Sequence, residues 1–195
     1  MRRGRRLSWI ACVLAAALLG CAPIGGTTPP SRFYLLTSLE APPPRTNGPG
    51  LGVGPVRIAE YLDRPQIVTR RGQHALALAD FDRWGEPLEE AIPRVLLANL
   101  GALLETDRLQ RHPWRDARNV EVEVEVDVQR FDGPAAGPVE LVAHWLARRG
   151  GRVVQRVSRI SEPLDGHGYE AQAAAMSAAL QRLCREIADA IPASR

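Results

Sequence analysis

The sequence contains no lysine, and all 25 of its cationic side chains are arginine. That bias reads as genome composition rather than as a phosphate site. Neither Gly48-Pro49-Gly50 nor Gly52-Val53-Gly54 continues into a helix with the Gly-Lys-Ser/Thr ending of a phosphate loop, so the chain has no recognisable device for binding ATP. A Gly-x-Ser-x-Gly nucleophile elbow is also missing. The histidines, at 74, 112, 144 and 167, are scattered without the spacing of a metal-binding helix, so no metal ligand is expected. Cysteine is scarce, with three in all. A long apolar run is lacking too, because Leu7 to Leu19 is too short to span a bilayer comfortably as a helix.

What the N-terminus does contain is Arg2, Arg3, Arg5 and Arg6 ahead of that short apolar run, the pattern of a cleaved export signal over residues 1–20. The run closes on Leu18-Leu19-Gly20-Cys21, which resembles the lipobox of bacterial lipoproteins, where the cysteine takes diacylglycerol and becomes the mature N-terminus. Cys21 is therefore the expected lipid-attachment residue. Cys12 leaves with the signal and Cys21 is consumed, so Cys184 stands alone and no intramolecular disulfide forms. Losing four arginines and no acid takes the formal charge from +3 to −1, which removes any electrostatic case for nucleic acid. Residues 21–31, proline-rich and with little to bury, read as a lipidated tether. Residues 32–195 are of a size for one domain with its own core.

Strand patterns are expected over Arg32–Leu36, Leu51–Ala59, Gln66–Arg71 and Ala75–Ala79, the last two joined as a hairpin by Gly72-Gln73-His74. A helical pattern covers Glu86–Leu109, where Pro93 means that the helix either kinks or starts its regular part there. Val120–Val128 alternates valine with Glu121, Glu123, Glu125 and Asp127, one face buried and one wet; Phe131 breaks the parity and places a bulge or the strand's end near Gln129. Such a repeat is a solvated face, not a catalytic dyad. Gly150-Gly151 joins strands Val139–Arg148 and Arg152–Ile160. A final amphipathic helix runs from Glu170 to Ile191, with Cys184 on its apolar stripe as a small buried hydrophobe rather than a nucleophile. The fold class expected is α+β: a mostly antiparallel or mixed sheet with two helices packed on one face.

The segment Glu60 to Val68 is distinctive, since it sets Tyr61, Asp63, Arg64, Pro65 and Gln66 between two strands. It is either a polar crossover or a displayed loop that meets a partner. Trp84-Gly85-Glu86-Pro87-Leu88 places an aromatic just before a helix, where packing onto the core is the natural role.

On the lipobox at Cys21, Phe33-Tyr34-Leu35-Leu36, Val53-Gly54-Pro55-Val56-Arg57-Ile58, Tyr61-Leu62-Asp63-Arg64-Pro65-Gln66-Ile67-Val68 and Arg83-Trp84-Gly85-Glu86-Pro87-Leu88, the chain resembles the PqiC (YmbA) family of ABC-type transport auxiliary lipoproteins. The resemblance implies a non-enzymatic lipoprotein of a Gram-negative envelope, without cofactor. It would serve an ABC transporter, its permease and an MCE-domain subunit that together move lipids or other hydrophobic molecules across the periplasm and support envelope integrity. It further implies a homo-oligomer. Ala22, not aspartate, follows Cys21, which implies the periplasmic face of the outer membrane. Partner contacts are expected at Tyr61, Asp63, Arg64 and Gln66. An alternative is a lipoprotein that itself binds a hydrophobic ligand, which requires an apolar cavity between sheet and helices; an envelope hydrolase has no nucleophile to support it.

Overall fold

The computed structural model describes residues 29–40 and 48–191. The export signal, Cys21 and all of the tether before residue 29 lie outside the described residues. The chain divides after Pro30, and the folded unit runs from Ser31 onward.

The valine–acid alternation becomes strand β6, Val122–Asp132, at the centre of a five-stranded sheet. Val122, Val124, Val126 and Val128 are at most 2% exposed. Glu123, Glu125 and Asp127 take the opposite face, where Arg148 forms ion pairs with Glu123 and Glu125. The parity break resolves as a bulge between Val128 and Arg130, which turns Phe131 inward and lets the strand run on to Asp132. β6 lies parallel to β2, Leu51–Ile58, and antiparallel to β7, Val139–Arg149. β7 turns through Gly150 and Gly151, at φ +56° and +76°, into the edge strand β8, Arg152–Glu162. Two successive positive φ values are what a type I′ hairpin needs and what glycine supplies without a steric penalty.

Helices α1, Leu88–Leu103, and α2, Gly168–Ala190, pack on the valine face, α1 against β2 and α2 against β7 and β8, and they touch each other. The α+β class expected from the residue patterns, with two helices on one face of a mixed sheet, is the one observed. Pro93 neither starts nor ends α1. The helix is already regular from Leu88, with the Pro87 carbonyl accepting from the N–H groups of Glu90 and Ala91, and Pro93 lies buried inside it. Its C-terminus comes at Leu103, earlier than the apolar pattern implied. There Glu105 adopts φ +51°, Thr106 N–H reaches the Gly101 carbonyl at 2.9 Å and Glu105 N–H the Ala102 carbonyl at 3.3 Å, a Schellman ending built without the usual glycine. The released chain forms β5, Leu109–Arg111, parallel to β2, so the order is β5-β2-β6-β7-β8.

A second, three-stranded sheet was not separated by the sequence pattern. It holds β3, Gln66–Arg71, and β4, Ala75–Trp84, as the expected hairpin, with β4 five residues longer than expected. β1, Arg32–Tyr34, lies parallel to the last three residues of β4, giving the order β1-β4-β3. Trp84, 6% exposed, packs into the core at the start of α1.

Candidate partner-binding site

After β2, Glu60–Leu62 forms one 3₁₀ turn, and Arg64 N–H returns to the Leu62 carbonyl at 2.8 Å around Asp63 at φ −76°, ψ 74°. That is an inverse γ-turn. Leu62 is buried, which sinks the loop on one side and leaves Asp63 exposed. The far end is fixed by Trp84 N–H to the Pro65 carbonyl at 2.7 Å and by pairing of Gln66 with Arg83. The segment is thus held in one conformation at both ends.

The four residues expected to meet a partner divide. Tyr61 turns inward: its hydroxyl donates to Asp132 Oδ2 at 2.6 Å and accepts from Phe131 N–H at 3.3 Å. Asp132, fully buried, also receives Arg70 through Nε to Oδ1 at 2.7 Å and Nη2 to Oδ2 at 2.8 Å, and Arg130 Nε to Oδ1 at 3.1 Å. Burial opposes the Asp132 charge, yet hydrogen bonds from Arg70, Tyr61 and Arg130 hold its carboxyl below the usual carboxylate value. Burial, with the bond to Asp132, pushes Tyr61 up to about 12. The Asp132 hydrogen bond raises Arg70. Asp63 and Arg64 form no ion pair with each other or with any other described residue. Arg64 is half-buried, and its Nε is shielded from solvent without a hydrogen-bond partner. Gln66 is half-buried in register with Arg83, whose Nε is likewise shielded and unpartnered.

Sequence reasoning missed Asp132, Arg70 and Arg130. Asp132 lies 62 and 71 residues from Arg70 and Tyr61, and no local pattern marks such a meeting. It also missed Arg83, whose only local signal was its place before Trp84.

The rest of the molecule offers little for chemistry. No group of His, Cys, Asp and Glu among the described residues could hold a metal. All four histidines are exposed and stand on different segments. Cys184 is fully buried in α2 and its thiol is pushed up to about 12 by burial, far from a thiolate at neutral pH. Grooves of about 200 to 430 Å³ are lined by charged side chains such as Arg57, Glu125 and Asp127, or Glu123 and Arg148. No helix among the described residues is long and apolar enough to cross a membrane.

The family model and the named relatives agree on one group. The family model described as ABC-type transport auxiliary lipoprotein component matches residues 34–188. The intermembrane transport lipoprotein PqiC of Escherichia coli K12 is 24% identical over 165 residues, covering 83% of this chain and 85% of PqiC. The same holds for PqiC of Shigella flexneri. Among solved structures, an uncharacterized protein superposes with a TM-score of 0.68 at 19% identity, covering 83% of this chain and 98% of that one. A Xanthomonas campestris protein gives 0.61 at 18% identity, covering 80% of this chain and 92% of that one. At these identities the two structures speak for the fold alone.

Proposed function

The chain belongs to the family of ABC-type transport auxiliary lipoprotein components, and from that premise we propose that it is held by lipid on Cys21 at the periplasmic face of the outer membrane. There, as a homo-oligomer, it docks the MCE-domain subunit of an ABC system that moves lipids or other hydrophobic molecules across the periplasm. The family is one of transport auxiliaries, not of enzymes. ATP hydrolysis belongs to another polypeptide on this reading.

The observation that supports it best is the condition of Asp63 and Arg64. They stand on the most family-like run of the chain, on a loop braced through Tyr61 and Asp132, and neither has a charged or hydrogen-bonding partner for its side chain among the described residues. A rigid loop that presents an unpaired acid and a half-desolvated guanidinium is suited to a partner that completes both. Truncating one member of a buried interfacial charge pair costs about 2–5 kcal/mol, whereas an exposed pair is worth about 0.2–1 kcal/mol. Asp63→Ala and Arg64→Ala should therefore melt within a few degrees of the parent when dissociated to monomers, yet lose oligomer mass or co-purifying transporter subunits. Normal assembly by both variants, or outright unfolding, would refute the docking role of this loop.

A further inference from the structure

We propose that the outward face of the three-stranded sheet, led by Phe33 and Leu35 with Arg83 between strands, rests on the lipid surface beside the anchor. The proposal rests on the reading of Cys21 as lipidated and adds a second, non-covalent membrane contact to it. Phe33 is 66% exposed and Leu35 56%, the two highest values among the large hydrophobic side chains described. Phe33 is in register with Arg83 on β4, and Arg83 with Gln66 on β3, so the three form one row across the sheet. Leu35 continues that face, seated where a Cβ on Gly85 would come within 3.0 Å of its Cδ2. Arg32 and Tyr34 turn to the other side, both bonded to Asp82 at 2.8 to 2.9 Å. The face therefore carries two exposed apolar side chains, Phe33 and Leu35, beside the Arg83 guanidinium, whose Nε is shielded from water and has no acceptor.

The tether brings the lipid surface within reach of this face. Ten residues, 22–31, separate Cys21 from Arg32 and span at most about 33–36 Å. Phe33 thus lies in the first strand to follow the tether and is the most exposed apolar side chain near the anchored end. An apolar pair flanked by arginine is the composition of an interfacial contact. The rings and methyls enter the boundary between headgroups and acyl chains, and the guanidinium takes a phosphate oxygen in a charge-assisted hydrogen bond. The diacylglycerol on Cys21 already supplies retention, so what a protein-borne contact adds is a fixed orientation of the domain on the surface. Gln66 ends the row, so the docking loop would sit next to the lipid.

The test uses the full-length, lipid-modified protein in vesicles of phosphatidylethanolamine and phosphatidylglycerol. Phe33→Cys, Leu35→Cys and, on the β8 edge, Val153→Cys are labelled one at a time with an environment-sensitive fluorophore; buried Cys184 does not compete. Acylation is checked by intact mass. Quenching by lipids that carry a spin label near the headgroup should be several-fold stronger at positions 33 and 35 than at 153, and Arg83→Gln should weaken it. Vesicle-bound, acylated protein whose probes at 33 and 35 remain in water overturns the face while leaving the anchor intact. Protein that carries no acyl group and does not bind vesicles sinks both readings. Without the acyl group, quenching at 33 and 35 would uphold the face and remove the anchor. Probes shielded from water but untouched by the lipid quencher, in a particle of higher mass, would mean that a second copy covers the face, and the proposal fails.

Discussion

Replacing Tyr61 by phenylalanine removes one hydroxyl from a carboxylate that water does not reach. Asp132 then keeps Arg70 and Arg130 but loses a 2.6 Å donor, and Phe131 N–H loses its acceptor at 3.3 Å. A hydrogen bond to a charged group contributes about 1.5–3 kcal/mol, so a loss near 2 kcal/mol should lower the melting temperature of a domain this size by about 4–8 °C. The same network sets a pH dependence. Asp132 titrates in the fold below its ordinary 3.8, so its stabilisation is fully present above that value and is lost as the pH falls through the lowered one. Tyr61 is raised from 10.0 to about 12, so its contribution is present below pH 10 and declines as the pH climbs towards 12. Calorimetry across the pH range should find that Tyr61→Phe loses Tyr61's share of the alkaline limb and shows a shallower acid decline that is complete at a higher pH, because Asp132, with one partner fewer, titrates closer to its ordinary value. If the variant melts with the parent and its acid and alkaline limbs superpose, the brace contributes nothing and the loop is rigid for some other reason.

Three further outcomes are expected. Cys21→Ser should abolish incorporation of labelled fatty acid; a native protein that takes up no label would remove the anchor. Purified protein should show no ATP hydrolysis above a blank, and turnover that vanishes on mutation of a residue in this chain would contradict the non-enzymatic reading. Cys184, with its thiol pushed up to about 12 by burial, should react with a thiol reagent at neutral pH only as fast as the domain opens; rapid labelling of the folded protein would show that α2 is not packed as described.

Much of the fold was legible because its signals are local. Alternating valines and acids dictate a strand with one wet face whatever its neighbours, the Gly150-Gly151 pair dictates a tight hairpin, and the stripe through Met176, Leu180, Leu183 and Ile187 dictates a helix lying on an apolar surface. The C-terminus of α1 was misjudged for a specific reason. The left-handed residue that closes it is Glu105, so the glycine that ordinarily marks such an ending is absent from the sequence. The candidate site was half legible: its most unusual run was apparent, but which of its side chains face inward was not.

The sequence by itself determined the N-terminal signal pattern, the absence of nucleotide and nucleophile motifs, and the identity of most strands and both helices, since each depends on residues within a turn or two of one another. Only the tertiary structure decided that Tyr61 is a brace and Asp63 a displayed charge, that Asp132 gathers Arg70 and Arg130 about it, and that β1 leaves the larger sheet to pair with β4. Those outcomes depend on which strand lies beside which, and pairing is settled by the joint burial of distant faces, which no local period encodes.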